Sequence, residues 1–403
     1  MDPIRNPYAP GAGQRPPELA GRDEQLRAFD VVLERVAHRR PERSLVLTGL
    51  RGVGKTVLLN ALRSQAVRKG WGTGKLEARP DQRLRRPLAS ALHQAVRELG
   101  HPQQEEADHL LGVLRAFAER DAGDAKLRDR WSSGIDVPAV RGRADSGDIE
   151  IDLVELLSDL GGLAADTGKG VAVFVDEMQD LGPDDVSALC AACHEIGQAG
   201  LPLIVVGAGL PHLPAVLSAS KSYSERLFSY QRIDRLTREE ADRALTAPAA
   251  SEEAAYDDDA LAAMYDATGG YPYFVQAYGK TVWDLAPRSP ITAGDVAVAA
   301  PEAERELAVG FFGSRYERAT PGEREYLRAM ADAAVAIAGR DEGGLDDVGS
   351  VPTAEVADVL GKKPQSLSPA RDSLLKKGLI YSGERGRIAF TVPHFGKYLL
   401  NQG

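Results

Sequence analysis

The sequence predicts an α/β chain in three parts: a parallel sheet flanked by helices, a helical region, and a C-terminal helix-turn-helix closed by a β-hairpin. Three observations predict it. The runs Leu45–Leu47, Val171–Val175 and Leu201–Val206 carry no charge and alternate with helical patterns, as buried parallel strands do. No further buried strand is legible between about residue 236 and about residue 313. The last part then reads as short helix, turn, helix and two short strands.

In chain order, residues 1–20 are rich in Pro and Gly and are expected as an extended arm. An amphipathic helix follows, with Leu26, Phe29 and Leu33 spaced by three and four. Leu58 and Leu62 begin a helix face directly after the first strand and a glycine loop. Residues 78–86 read as a basic loop, 87–99 and 110–117 as helices, and 120–149 as a poorly ordered, loop-rich insertion. Ile151–Leu163 and Asp184–Gly197 read as helices around the second strand. Thr237, with Glu240 three residues on, reads as a helix cap. Ser368–Lys377 reads as the second helix of the C-terminal part, with Pro369 at its first position and Gly378 ending it. The implied divisions are an arm (1–20), a core (21–235), a helical lid (236–319) and a winged helix (320–403).

Composition narrows the class. The chain has 403 residues, 43% hydrophobic and 27% charged, which is ordinary for a globular protein. No apolar stretch is long enough to span a bilayer, and no apolar signal core is visible. With only two cysteines, a cytoplasmic location is expected. A net charge of −10 argues against a general nucleic-acid coat.

The chemistry centres on Gly49, Leu50, Arg51, Gly52, Val53, Gly54, Lys55 and Thr56, which fit Gly-x-x-x-x-Gly-Lys-Thr between strand and helix. Glycines let backbone N–H groups turn toward phosphate oxygens, and the helix that Val57 continues adds its positive end. Lys55 would reach the β- and γ-phosphates of ATP or ADP, and the Thr56 hydroxyl would bind Mg²⁺. Asp176 ends an apolar strand and is a second Mg²⁺ ligand candidate. Glu177 is the candidate general base for water attack on the γ-phosphate. Cys190-Ala-Ala-Cys193-His194 matches a haem-attachment spacing but sits mid-helix, where small core residues are the expected reading.

Gly21-Arg22-Asp23-Glu24, Gly49–Thr56 and Val173–Glu177 together resemble an AAA+/STAND-type ATPase of the archaeal ATPase, origin-recognition-like group, which has a P-loop NTPase core. The resemblance follows the chain over nearly its whole length, lid and winged helix included. It implies that Gly21 and Arg22 lie near the adenine, and that Gly270-Tyr271-Pro272 is the lid motif with Pro272 close to the base. It implies that Arg226, expected after the last core strand, is an arginine finger or a cis sensor of the γ-phosphate. It also marks a departure: Gly207-Ala208-Gly209 stands where a polar sensor is usual, with His212 a poor substitute, so slow or gated hydrolysis is expected.

Residues 361–387 hold seven basic and two acidic side chains, a local excess of five cations. Ser366, Ser368 and Arg371 are the candidate groove-facing residues and Arg385 and Arg387 the candidate wing contacts to duplex DNA. The competing expectation is a signalling or assembly ATPase whose winged helix meets the lid, a protein partner or another copy of the chain. A metabolic kinase is the third reading, disfavoured by the lid and winged helix.

Overall fold

The computed structural model describes residues 1–11, 13–99, 104–120, 135–340 and 349–402. The chain divides into two compact units, one of residues 22–48 and 55–232, the other of residues 1–21, 49–54 and 233–403.

The first unit is built on a five-stranded parallel sheet, in the order β2-β3-β4-β1-β5. Its strands are β1 (Ser44–Thr48), β2 (Gly72–Glu77), β3 (Val171–Asp176), β4 (Leu203–Gly209) and β5 (Phe228–Arg232). β1, β3 and β4 are buried along their whole length, so they read as unbroken apolar runs. Two strands escaped the sequence reading, and each has a physical reason. β2 is Gly-Thr-Gly-Lys-Leu-Glu, with little apolar signal. Its glycines are needed for contact: a Cβ on Gly72 or Gly74 would stand 2.5 or 2.4 Å from the carbonyls of Ala95 or Ala91 in the covering helix. β5 is polar because it is an edge strand with only Phe228 buried.

Helices α1 (Asp23–Ala37), α2 (Lys55–Arg68), α3 (Arg85–Leu99), α4 (Gln104–Glu119), α5 (Ile149–Asp166), α6 (Pro183–Ala199), α7 (Leu213–Ser220) and α8 (Ser224–Leu227) surround this sheet. Leu92, Phe117, Leu156, Leu157 and Leu189 are fully or almost fully buried in its core.

The expectation of poor order over 120–149 needs correcting. Residues 121–134 lie outside the described residues, but 135–149 are pinned. Asp152, fully buried in α5, accepts from Ser146 Oγ and N (2.7 Å each), Gly147 N (3.2 Å) and Arg85 Nη2 (2.7 Å). Burial pushes the Asp152 carboxyl up, but Ser146 and Arg85 outweigh it and leave it below its ordinary value.

The second unit contains helices α9 (Arg238–Ser251), α10 (Asp258–Thr268), α11 (Pro272–Leu285) and α12 (Ala293–Glu306), then a π-helical turn, Leu307–Gly313. Thr237 and Glu240 form the capping box the sequence suggested. The N-terminal arm is ordered against these helices: the Tyr8 hydroxyl donates to Leu245 O at 2.7 Å, and Trp283 Nε1 donates to Asp2 O at 2.9 Å.

The C-terminal part runs α13 (Pro321–Arg340), β6 (Val351–Pro352), α14 (Thr353–Leu360), α15 (Pro364–Lys376), β7 (Ile380–Tyr381), β8 (Arg387–Phe390) and α16 (Phe395–Leu400). With the antiparallel sheet order β6-β8-β7 beside α14 and α15, this part has the element order of a winged helix. α15 begins at Pro364, not near Ser368 as expected. Pro364 occupies the first helical turn, where a missing N–H costs nothing, and Pro369 falls inside the helix.

Candidate nucleotide site

β1 delivers the glycine loop at the C-terminal edge of the sheet, where open α/β folds hold ligands. Gly52 and Gly54 adopt φ of 86° and 89°, a conformation open to glycine. Among the described residues, nothing beyond its chain neighbours lies within 4 Å of where a Gly54 Cβ would stand. Lys55 is the first residue of α2 and is 8% exposed; Thr56 follows, half-buried. A hydroxyl and a carboxylate are hard oxygen donors, so Thr56 and Asp176 are of the chemical type that would hold Mg²⁺.

Asp176 is buried at the end of β3, and its Oδ1 accepts from the Glu177 N–H at 3.0 Å. Glu177 has φ 50° and ψ 41°, in the left-handed region, which turns the chain sharply off the strand. Gln179, which sequence reasoning missed, links two elements. Its Nε2 donates to Glu177 Oε2 at 2.6 Å, and its Oε1 accepts from Leu210 N, just past β4, at 3.1 Å.

The glycines that stand where a polar sensor was expected pack closely against the turn after β3. A Cβ on Gly207 would stand 2.0 Å from Met178 Sδ, and one on Gly209 would stand 2.6 Å from Gln179 Oε1. The side chains of the 3₁₀ turn Met178–Asp180 pack against the end of β4, where Gly207 and Gly209 leave them room. His212 precedes α7 instead, its pKa lowered by burial.

Arg226 does not follow the last strand, as was expected; it precedes β5. The parallel register pairs Ser44 with Phe228, so Arg226 lies at the N-terminal edge of the sheet. Lys55 lies beyond the opposite edge, past a five-residue strand, and such a strand rises about 13 Å. Arg226 therefore does not serve the phosphate loop of its own chain. Arg22 caps the start of α1 and is buried.

Within the second unit, the loop residues 49–54 meet residues 233–403 directly. Gly49 is pressed against the carbonyl of Ile233, which a Cβ would approach to 2.2 Å. Pro272 starts α11, and the next N–H, that of Tyr273, donates to Gly52 O at 3.2 Å. The Arg51 N–H donates to Thr391 O, at the end of β8, at 2.9 Å. Thr391 is anchored in turn by its hydroxyl, which donates to Gly378 O at 2.7 Å and Leu379 O at 3.2 Å. Beside Gly52, the rings of Tyr273 and Phe311 stack at 4.6 Å, and the Arg315 guanidinium covers Phe311 at 4.1 Å. Burial, then the neighbouring charges of Arg51 and Arg318, bring Arg315 down to about 10, still a cation at neutral pH. No motif announced Arg315.

The winged-helix cations are less available than their number suggests. Lys377 pairs with buried Glu323 at 2.6 Å, Lys362 with Glu325 at 3.0 Å and Arg371 with Asp372 at 3.1 Å. Arg387 donates to Ser350 Oγ and O at 2.7 and 2.6 Å. Ser366 and Arg385 are exposed, and Ser368 is half-buried. Cys190 and Cys193 are core residues: burial raises their thiols to about 11 and about 12.

Residues 18–206 match the AAA ATPase domain family, and residues 309–399 match a domain of unknown function, DUF8462. The first stretch is similar to an AAA ATPase domain. The Walker-type ATPase PABY2304 of Pyrococcus abyssi shares its fold, with a TM-score of 0.57 and 15% identity over 96% of this chain and 97% of that one. Cdc6p of Pyrobaculum aerophilum aligns at a TM-score of 0.44 and 14% identity, covering 100% and 97% of the two chains. Orc1 of Aeropyrum pernix, solved in complex with DNA, aligns at 0.45 and 15%, covering 96% and 94%. No curated protein sequence matches. Among the described residues, no helix is long and apolar enough to cross a membrane.

Proposed function

We propose that this chain is an AAA-type ATPase that works as a nucleotide-dependent switch, its moving part the winged helix. The observation that carries the reading is the hydrogen bond from the Arg51 N–H, inside the phosphate loop, to Thr391 of the wing. A loop that reshapes around phosphate changes that bond, and the wing registers the change. ATP binds through the N–H groups of Gly52 to Thr56 and through Lys55. Arg315 adds positive charge beside the loop. Thr56 and Asp176 would hold Mg²⁺, which would neutralise phosphate charge. Glu177 orients and deprotonates water, and Gln179 holds its carboxylate until the loop at the end of β4 moves. Hydrolysis is gated by that tether.

The output is duplex DNA contacted through Ser366, Ser368, Arg371 and the wing residue Arg385. The second reading, a signalling or assembly ATPase, gains from the ion pairs that already engage Lys362, Arg371 and Lys377. The experiment that separates them measures ATP turnover with and without duplex DNA, and DNA anisotropy for Arg371→Glu and Arg385→Glu. The DNA reading expects affinity to fall steeply with salt and with each variant. Unchanged affinity, together with a change of oligomeric state between ADP and ATP, selects the second reading.

A further inference from the structure

At the sheet edge opposite the phosphate loop lies a cavity of about 430 Å³ that the proposed function leaves unused. It is formed where β1 and β4 begin, by the last turns of α1 and α6 and by α8. Its floor is apolar, from Val36, Ile196, Leu203 and Val205, all at least nine-tenths buried. The Ser44 hydroxyl lies in the same wall, buried, donating to Cys193 Sγ at 3.8 Å and accepting from Val205 N at 3.2 Å.

Five arginines ring the opening: Arg35, Arg39, Arg40, Arg43 and Arg226. Glu42 is the one carboxylate among the lining residues, and Arg35 already pairs with it. For Arg39, Arg40, Arg43 and Arg226, the described residues supply no carboxylate partner. An ordinary explanation is that arginines near helix ends offset the negative pole of the helix dipole. Two helix C-termini do reach this cavity, but each carries only about half a negative charge. They leave roughly three positive charges uncompensated around one opening. Guanidinium groups gathered in this way suit phosphate, which they bind in a planar, bidentate manner. The volume matches the range for small-ligand pockets, about 300–1,000 Å³. One wall is a planar ring, His194, held by stacking on Tyr223 at 4.7 Å and 29°.

We propose that this cavity is a second ligand site, separate from the phosphate loop, for a small, multiply phosphorylated molecule. Its phosphates meet the arginine rim, and its body fills the apolar floor beside His194. Nucleoside polyphosphates and inorganic polyphosphate share the chemistry the rim recognises. β1 begins at this cavity and ends at the phosphate loop, so the two sites share one strand.

The test is calorimetric titration of the full chain carrying Lys55→Ala, which silences the phosphate loop, with ATP and, separately, with tripolyphosphate. One equivalent is expected to bind. Adding Arg40→Ala and Arg43→Ala, both at exposed positions, is expected to weaken binding at least tenfold, while Arg68→Ala leaves it unchanged. ATP binding much more tightly than tripolyphosphate assigns the nucleoside class; equal affinity assigns inorganic polyphosphate. In the wild-type background, the Arg40→Ala, Arg43→Ala protein is expected to lose one of two equivalents of ATP. Absence of binding to the Lys55→Ala chain overturns the proposal, as does binding indifferent to Arg40 and Arg43. Capture of a duplex oligonucleotide by the same arginines without any affinity for the small phosphates also overturns it.

Discussion

Glu177 holds a backbone conformation that few non-glycine residues adopt, at the point where the chain leaves β3. Such strain costs on the order of 1 kcal/mol or more and persists where surrounding contacts enforce it. Here the enforcing contacts are Asp176 Oδ1 on the Glu177 N–H and Gln179 on its carboxylate. Glu177→Gln is expected to keep ATP affinity and lower turnover at least a hundredfold, the scale of general-base loss. Full turnover in single-turnover assays would remove Glu177 from that role. Gln179→Ala is expected to raise turnover if the tether gates hydrolysis. Glu323 makes a pH prediction. Burial raises its carboxyl, but the Lys377 and Ser373 side chains and the Thr320 N–H more than compensate, bringing it to about 2. A depressed carboxyl stabilises the fold fully above its unfolded pKa, near 4.5, and that stability is lost as pH falls toward 2. Glu323→Gln should therefore flatten acid unfolding between roughly pH 5 and pH 2, at a cost on the order of 3 kcal/mol at neutral pH, measured by denaturant titration.

At the scale of elements, packing distances choose residues that propensity would not. β2 survives with two glycines because α3 lies against its backbone. Gly74→Ala must displace α3 or the strand. The expected cost is about 1–3 kcal/mol, visible as a lowered melting temperature with ATP binding retained. The segment 135–149 depends on one buried carboxylate. Arg85→Ala leaves Asp152 without its cation and is expected to cost about 3–5 kcal/mol. Hydrogen exchange over 135–149 should rise first, because three of its donors end on that carboxylate. The helix assignments were legible wherever apolar spacing of three and four was intact. The start of α15 was not, because two prolines compete for a first-turn position and only the turn after Gly361 selects Pro364.

For the whole molecule, the testable link is between the phosphate loop and the wing. The Arg51 amide, bonded to Thr391, is expected to exchange slowly without nucleotide and to change its protection when ATP and Mg²⁺ are added. Residues 378–391 should change together with it, because the Thr391 hydroxyl is bonded to Gly378 and Leu379. An unchanged exchange pattern across both segments would separate the wing from the nucleotide state.

The sequence by itself determined the glycine loop, the buried strands β1, β3 and β4, the carboxylate pair at the end of β3 and the order of sheet, helices and winged helix. Each of these is a local pattern: a fixed spacing, an uninterrupted apolar run or a periodicity that a single segment carries. The tertiary structure alone decided which edge of the sheet holds Arg226, what packs against the glycines of β4, where Gln179 and Arg315 lie, and which winged-helix cations are already paired. Those depend on contacts between residues far apart in the chain, where a few tenths of an ångström or one buried charge outweighs any local preference. The glycine loop is where the two kinds of information meet. Its glycines were plain in the sequence, but its hydrogen bonds to Tyr273 and Thr391 exist only once the chain has folded.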